Sequence, residues 1–321
     1  MNKHTRNLTI ISGIALIGGL VAGVVSRYTT KTLVSAALDR EMPKGMKKKK
    51  IYSSEKNESI IMSLKEKKAM LENSQLETIE ITSHDGNKLI GHWHHNEGDK
   101  RIIIAMHGWR SSWSQDFASI FEFWHDNGCS VLYAEQRGQN DSEGEYMSFG
   151  MLERYDCLDW INRINEENTE NLPIYLAGIS MGASTVLMTG GFNLPENVHG
   201  IMADCGFTSA RAIWKHVAEN NMHIYYGIHS RMVEDLCRKK INISSENYTT
   251  LDALRINTRP VLFVHGSDDD FVPIEMTYEN YKVCKAPKKL FVVPGAGHAM
   301  SYMVNKEGYE KITKEFWQEN D

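Results

Sequence analysis

Gly178-Ile179-Ser180-Met181-Gly182 constrains this chain more than any other stretch. The pentapeptide closes an apolar run, Ile174 to Ala177, and a helix-compatible stretch, Ala183 to Met188, follows it. A Gly-x-Ser-x-Gly between a strand and a helix forms a sharp, strained turn that lifts the serine hydroxyl above a sheet. Side chains at the flanking positions would collide with the neighbouring strand and helix, so both must be glycine. Ser180 is therefore a candidate nucleophile, and the rest of the chain has to supply a sheet beneath it.

The apolar rhythm supplies that sheet. Continuous runs recur at Arg101 to Met106, Ser130 to Ala134, Pro173 to Ala177, Val198 to Ala203, Pro260 to Val264 and Leu290 to Val293. Unbroken apolar runs of this length are expected of central strands covered on both faces. Helix-like segments separate them, near Gln115 to Asp126, Met151 to Ile164, Ala183 to Gly190, Ile274 to Lys285 and Asn305 to Trp317. Strands alternating with helices predict βαβ units and a mostly parallel sheet. Ahead of them, Leu76 to Ile81 and Lys88 to His94 flank the turn His84-Asp85-Gly86-Asn87 and predict a hairpin. His92, His94 and His95 lie on that hairpin with no acidic or cysteine partner nearby in sequence, and are read as a solvated strand face.

Active sites of parallel sheets lie at the carboxyl ends of the strands. The residues just after each apolar run are therefore the candidate site residues. After the first central run come His107-Gly108-Trp109-Arg110, where Gly108 permits a close backbone approach to a ligand. The N–H groups of Trp109 and of Met181, the residue after the serine, form a candidate oxyanion hole. The next run ends in Glu135 to Ser142, where Arg137 is expected to pair with an acidic neighbour and brace the loops. Asp204 follows the fourth run and is a rival for the role of acid. His265-Gly266-Ser267-Asp268-Asp269-Asp270 follows the fifth, and three adjacent carboxylates repel, so at most one or two point inward. His298 follows the sixth, on a glycine-flanked loop expected to be flexible and exposed. Serine, aspartate and histidine in that chain order suit nucleophilic acyl transfer, with a neutral imidazole taking the serine proton near pH 7.

With these blocks, H-G-W at 107–109, G-I-S-M-G at 178–182, H-G-S-D-D-D-F-V-P at 265–273 and G-A-G-H-A at 295–299, the chain resembles an α/β-hydrolase-fold serine hydrolase over roughly residue 76 to the end. It is most similar to the subgroup of serine aminopeptidases and membrane-tethered esterase-like proteins. The resemblance implies Ser180 as nucleophile, Asp269 as acid, His298 as base, and the N–H groups of Trp109 and Met181 for the oxyanion. It implies no cofactor and no metal. It also implies a cap, here about 207–257, long enough for a few helices. Trp214, Met222, Tyr225, Tyr226 and Met232 from it either line an acyl pocket or pack the cap itself. The expected chemistry is cleavage of a carboxylic ester or related acyl bond in a small-molecule substrate. The alternatives are a serine aminopeptidase or short-peptide hydrolase, and a non-catalytic, membrane-tethered binding protein.

The N-terminus differs in kind. Leu8 to Val25 is apolar and uncharged. A helix of that length spans about 27 Å, close to the hydrocarbon core of a bilayer. Gly19 and Gly23 have the spacing of a helix-dimer face. The expected organisation is a membrane anchor over 1–30, a charged connector over 31–75 and the hydrolase domain over 76–321. Arg27, Lys31, Arg40, Lys44 and the run Lys47 to Lys50 follow the apolar stretch, which by the positive-inside bias puts the domain on the cytoplasmic side. The net charge of -5 gives no sign of nucleic-acid binding. Cys129, Cys157, Cys205, Cys237 and Cys284 are widely spaced, without C-x-x-C, and are read as reduced and mostly buried. Nothing in the sequence sets the oligomeric state.

Overall fold

The computed structural model describes residues 25–44 and 58–321. Eight strands form one sheet: β1 (Glu77–Thr82), β2 (Lys88–His94), β3 (Arg101–Met106), β4 (Cys129–Ala134), β5 (Ile174–Ile179), β6 (Val198–Asp204), β7 (Val261–Gly266) and β8 (Lys288–Val293). Their order across the sheet is β1-β2-β4-β3-β5-β6-β7-β8. The β1–β2 hairpin pairs antiparallel and joins β4 antiparallel, and every later pairing is parallel. All six apolar runs and the hairpin are strands, as the sequence leads one to expect.

Two-sided burial explains why these runs are unbroken. Along β3, Ile102, Ile104 and Met106 pack into one apolar layer with Trp160, Leu176 and Val186. Ile103 and Ala105 between them pack into the opposite layer with Phe117, Tyr133 and Trp317. Successive side chains of a strand point to opposite faces, so a sheet covered twice has no polar alternation.

The helices fall near their expected places. α5 (Glu153–Glu167), α6 (Met181–Thr189), α10 (Ile274–Val283) and α12 (Lys306–Asn320) connect or flank the strands. The single helix expected near Gln115 to Asp126 is two, α3 (Trp113–Phe117) and α4 (Phe121–Asp126). The break lets Trp113, Phe117, Phe121 and Trp124 all turn inward. The Ser112 hydroxyl caps α3 by accepting from the Gln115 N–H. Between β6 and β7 the cap is two main helices, α7 (Ala210–His216) and α8 (Ser230–Ile241), followed by α9 (Thr250–Ile256).

Parts of the stretch expected to be a connector are built into the fold. Residues 25–38 are helical (α1), and α2 spans Glu58–Glu72. Leu64 and Leu71 of α2 are buried. From α1, Val34 and Leu38 join the apolar cluster of the cap. The Arg110 guanidinium donates to the carbonyls of Ala36, Asp39 and Arg40, and the Trp109 indole N–H donates to that of Ala37 at 2.9 Å. Ala36 and Ala37 lie in the last turn of α1, whose carbonyls lack partners within the helix, and Asp39 and Arg40 follow it directly. Charge crowding in the sequence gives no sign of this docking, because its partners lie some seventy residues onward. The apolar stretch Leu8 to Val25 lies, apart from Val25, outside the described residues. Among the described residues no helix is long and apolar enough to cross a membrane.

All five cysteines are free and buried, as expected. Arg137 is a buried brace. It donates to Asp156 at 2.6 and 2.5 Å and to Asp85 at 2.7 and 3.1 Å, tying the β4 loop to α5 and to the hairpin turn. Arg137→Ala leaves the buried Asp156 carboxylate uncompensated. We expect it to cost about 3–5 kcal/mol in urea unfolding. Asp85→Ala, at the exposed end of the same network, should cost much less.

Candidate active site

Ser180 sits between β5 and α6 with φ 56° and ψ −115°. That backbone is costly for a non-glycine residue and persists only where its surroundings enforce it. Here the enforcement is steric and hydrogen-bonded. The Ser180 N–H donates to the Asp204 carbonyl on β6 at 2.9 Å. A Cβ added at Gly182 would lie 1.8 Å from the Met106 carbonyl oxygen, and one at Gly178 would lie 2.3 Å from the Gly182 carbonyl carbon. Both obstacles are backbone. Gly182→Ala should therefore be destabilised by more than about 4 kcal/mol or fail to fold, read by thermal or urea unfolding.

The sheet then brings three distant loops together. His298 Nε2 is 2.9 Å from Ser180 Oγ, and His298 Nδ1 is 2.7 Å from Asp269 Oδ2. His298 is only 7% exposed, contrary to the exposed loop expected of its flanking glycines. The Phe271 ring covers it at 5.0 Å between centroids. Of the three aspartates, Asp269 alone points inward, while Asp268 and Asp270 are exposed. Asp269 Oδ1 accepts from the N–H groups of Phe271 and Val272 at 3.0 and 2.9 Å. Asp204, the rival acid, is committed elsewhere: its Oδ1 accepts from Ser301 Oγ at 2.9 Å. Burial pushes its carboxyl up to about 6, against the lowering effect of that hydrogen bond.

The electrostatics are those of a charge held by its partner. Burial works to lower the His298 pKa, but the Asp269 charge and hydrogen bond outweigh it and raise it above the usual imidazole value. Burial works to raise the Asp269 pKa, but the His298 charge and the hydrogen bonds from His265 and His298 hold it well below the carboxylate range. Cys205 has its thiol in the same neighbourhood, within 4.8 Å of the Asp269 and His298 ligand atoms. Burial, with Asp204 and Asp269 alongside, pushes that thiol well up, so it stays protonated.

Three residues that carry no role in the sequence patterns position this arrangement. His265 Nε2 lies 2.9 Å from the Val272 carbonyl and 3.2 Å from Asp269 Oδ2, so it carries the proton and donates, while Nδ1 faces Thr277 Oγ1 at 2.7 Å. Asp116 accepts the Gly108 N–H at 2.6 Å and the Ser111 hydroxyl at 2.5 Å. His107 accepts the Gln136 N–H on Nε2 at 3.1 Å and donates from Nδ1 to the Gly108 carbonyl at 2.8 Å. Burial lowers its pKa and keeps it neutral despite Asp116. His107 and His265 each end a strand next to a glycine, which is the one signal the sequence offers for them.

The turns that carry Trp109 and Met181 leave the same end of the sheet. β3 and β5 pair in parallel with Met106 opposite Gly178, and each residue lies three positions beyond. A Cβ added at Gly108 would lie 3.4 Å from Ser180 Cβ, so the turn runs directly beside the serine. Of the three histidines read as a solvated face, His95 is exposed, but His92 and His94 are not. His92 stacks on Trp113 and its Nε2 is 2.9 Å from Glu135 Oε1, while His94 stacks on His125. Glu135 reaches His92 because β2 pairs with β4, a neighbour that chain order does not reveal.

The family described as "Serine aminopeptidase, S33" matches residues 97–255, just under half of the 321-residue chain. That span contains the Ser180 pentapeptide and ends before Asp269. The chain has the α/β-hydrolase fold. Its sequence is similar to the uncharacterized protein YqkD of Bacillus subtilis, 27% identical over 195 residues that make up 60% of this chain and 63% of that protein. The chain thus spans less than two thirds of that relative's length. The fold is similar to the Pyrococcus furiosus esterase Pf2001, with TM-score 0.61 and 23% identity over 77% of this chain and 93% of that one. It is also similar to ferulic-acid-bound Est1E of Butyrivibrio proteoclasticus, with TM-score 0.58 and 19% identity over 75% and 98% of the two chains.

Proposed function

We propose that this hydrolase cleaves a carboxylic ester or related acyl bond, with Ser180 as nucleophile, His298 as general base and acid, and Asp269 as the buried carboxylate. The single observation that carries the reading is the continuous relay from Ser180 Oγ through both ring nitrogens of His298 to Asp269. His298 takes the serine proton as Oγ attacks the carbonyl. The tetrahedral oxyanion is held by the N–H groups of Trp109 and Met181. The neighbouring N–H groups of Gly108 and Arg110 are committed to Asp116 and Gln139, which among the described residues leaves Trp109's for the substrate. His298 then protonates the leaving alcohol. Water, deprotonated by the same imidazole, releases the acid and restores the serine. Neither cofactor nor metal is required by these steps.

The family description and the likeness to an acylaminoacyl peptidase of Pyrococcus horikoshii keep peptide bonds as a second reading. Turnover of p-nitrophenyl esters against aminoacyl anilides separates the two. The test of the whole proposal is covalent: a fluorophosphonate probe should label the wild-type chain, and Ser180→Ala should abolish the label. An unlabelled, well-folded wild type would leave the binding-protein alternative standing. The residue pattern of Leu8 to Val25 supports tethering to a membrane, and the cations that follow it support a cytoplasmic domain.

A further inference from the structure

Ten large apolar side chains are exposed among the described residues, and half of them come from two short stretches, Val25 and Tyr28 on α1 and Met222, Tyr225 and Ile228 at the cap tip. These stretches touch. Thr30 Oγ1 of α1 lies 2.6 Å from His229 Nδ1, and Ser26 Oγ lies 3.5 Å from the same nitrogen. The Tyr225 ring covers Gly227, one residue before Ile228: a Cβ added there would meet it at 2.8 Å. Tyr28, Tyr225 and Ile228 are 72%, 68% and 75% exposed. A patch of this kind on a folded domain marks an interaction surface.

The occupant is indicated by where the chain enters. The apolar run Leu8 to Val25 ends inside the patch, so whatever medium receives that run also meets Tyr28 and Ile228. Arg27 and Lys31 on α1 and Arg231, three residues after Ile228, are exposed, as are the two tyrosines. Aromatic and basic residues around an apolar segment suit the headgroup layer of an anionic bilayer. Tyr226, Val233 and Val34 near the patch belong to the same buried apolar cluster as Phe149, Phe207 and Met181, the residue next to Ser180.

We propose that the cap tip and the outer face of α1 lie in the headgroup layer of an anionic membrane, and that the substrate is a bilayer-resident acyl ester reaching Ser180 from this face. The substrate half rests on the hydrolase reading above. In it, water supplies the oxygen and proton that convert the ester to a carboxylic acid and an alcohol, and no other co-reactant is consumed.

The test uses the full chain reconstituted in vesicles of phosphatidylcholine and phosphatidylglycerol. The native cysteines are buried, so a cysteine from Ile228→Cys takes an NBD label selectively. Its emission should be quenched at least about twofold by lipid carrying a doxyl group near the headgroup. The same label at Ile256→Cys, exposed at the amino-terminal end of the strands, should not respond. No quenching at 228, or equal quenching at both positions, overturns the docking; a partner protein or second copy on this face would give the former. Tyr28→Asp with Ile228→Asp should lower turnover of a long-chain ester in the vesicles about tenfold, and change that of a water-soluble acetyl ester less than about twofold. A vesicle rate that survives both aspartates, or equal loss on both esters, overturns the delivery route. A wild type inactive on both esters sinks the hydrolase reading, while the quenching result still decides the docking.

Discussion

Ser180→Ala will lower kcat for an aryl ester by about 10⁶-fold, with KM little changed. The size follows from the relay geometry. With Oγ gone, His298 has no proton to take at 2.9 Å, and attack falls to a water that nothing in the turn positions. The remaining acceleration comes from the oxyanion N–H groups and binding, typically 10³–10⁴ over water. His298→Ala should cost about as much, and the double variant no more than either. Nucleophile and base act as one unit, so removing the second adds nothing once the first is absent. A double variant slower than the single ones by the product of their effects would show that Ser180 and His298 act independently. Circular dichroism should show both variants folded, because α6 and the β5 turn are held by backbone contacts that do not involve the hydroxyl.

Asp269→Asn will lower kcat by about 10⁴-fold, and the protein fixes how. Asp269 Oδ1 accepts two backbone N–H groups, from Phe271 and Val272. An asparagine must keep its carbonyl oxygen there, which turns its NH₂ toward His298 Nδ1. The imidazole then accepts on Nδ1 and carries its proton on Nε2, the nitrogen that must receive the serine proton. The pH profile reports the same loss. In the wild type, burial lowers the His298 pKa but the Asp269 charge raises it further, for a net rise above 6.5. The base works only when neutral, so kcat/KM should climb with pH and level off above a midpoint higher than 6.5. Without the Asp269 charge the lowering effect of burial is opposed only by the smaller influences of Asp204 and Asp116. The midpoint of the residual activity should fall. A midpoint unmoved by the substitution would mean that Asp269 does not face the titrating imidazole.

Several elements were legible because their causes are local. The β5-turn-α6 junction is written in two glycines whose missing Cβ atoms are the only ones that fit. The unbroken apolar runs announce strands covered twice, and the strand ends announce where polar loops converge. Asp269 was distinguishable from its neighbours through the block that contains it. Other features depend on partners far away in the chain. The loop of His298 carries two glycines and looks free, yet Phe271 and Asp269 bury the imidazole. The hairpin histidines look solvated until β4 brings Glu135 beside His92. The charged stretch 31–44 looks like a tether until Arg110 collects the carbonyls at the end of α1.

The order of residues alone determined the strands, the turn that strains Ser180 and the three loops from which a relay is drawn, because each follows from the period of apolar residues or from sterics within a few positions. Only the tertiary structure decided how deeply the imidazole is buried, which histidines hold the turns and what covers the cap. Those outcomes are set by long-range pairing, where burial strips water from polar groups and obliges each one to find a partner from another part of the chain.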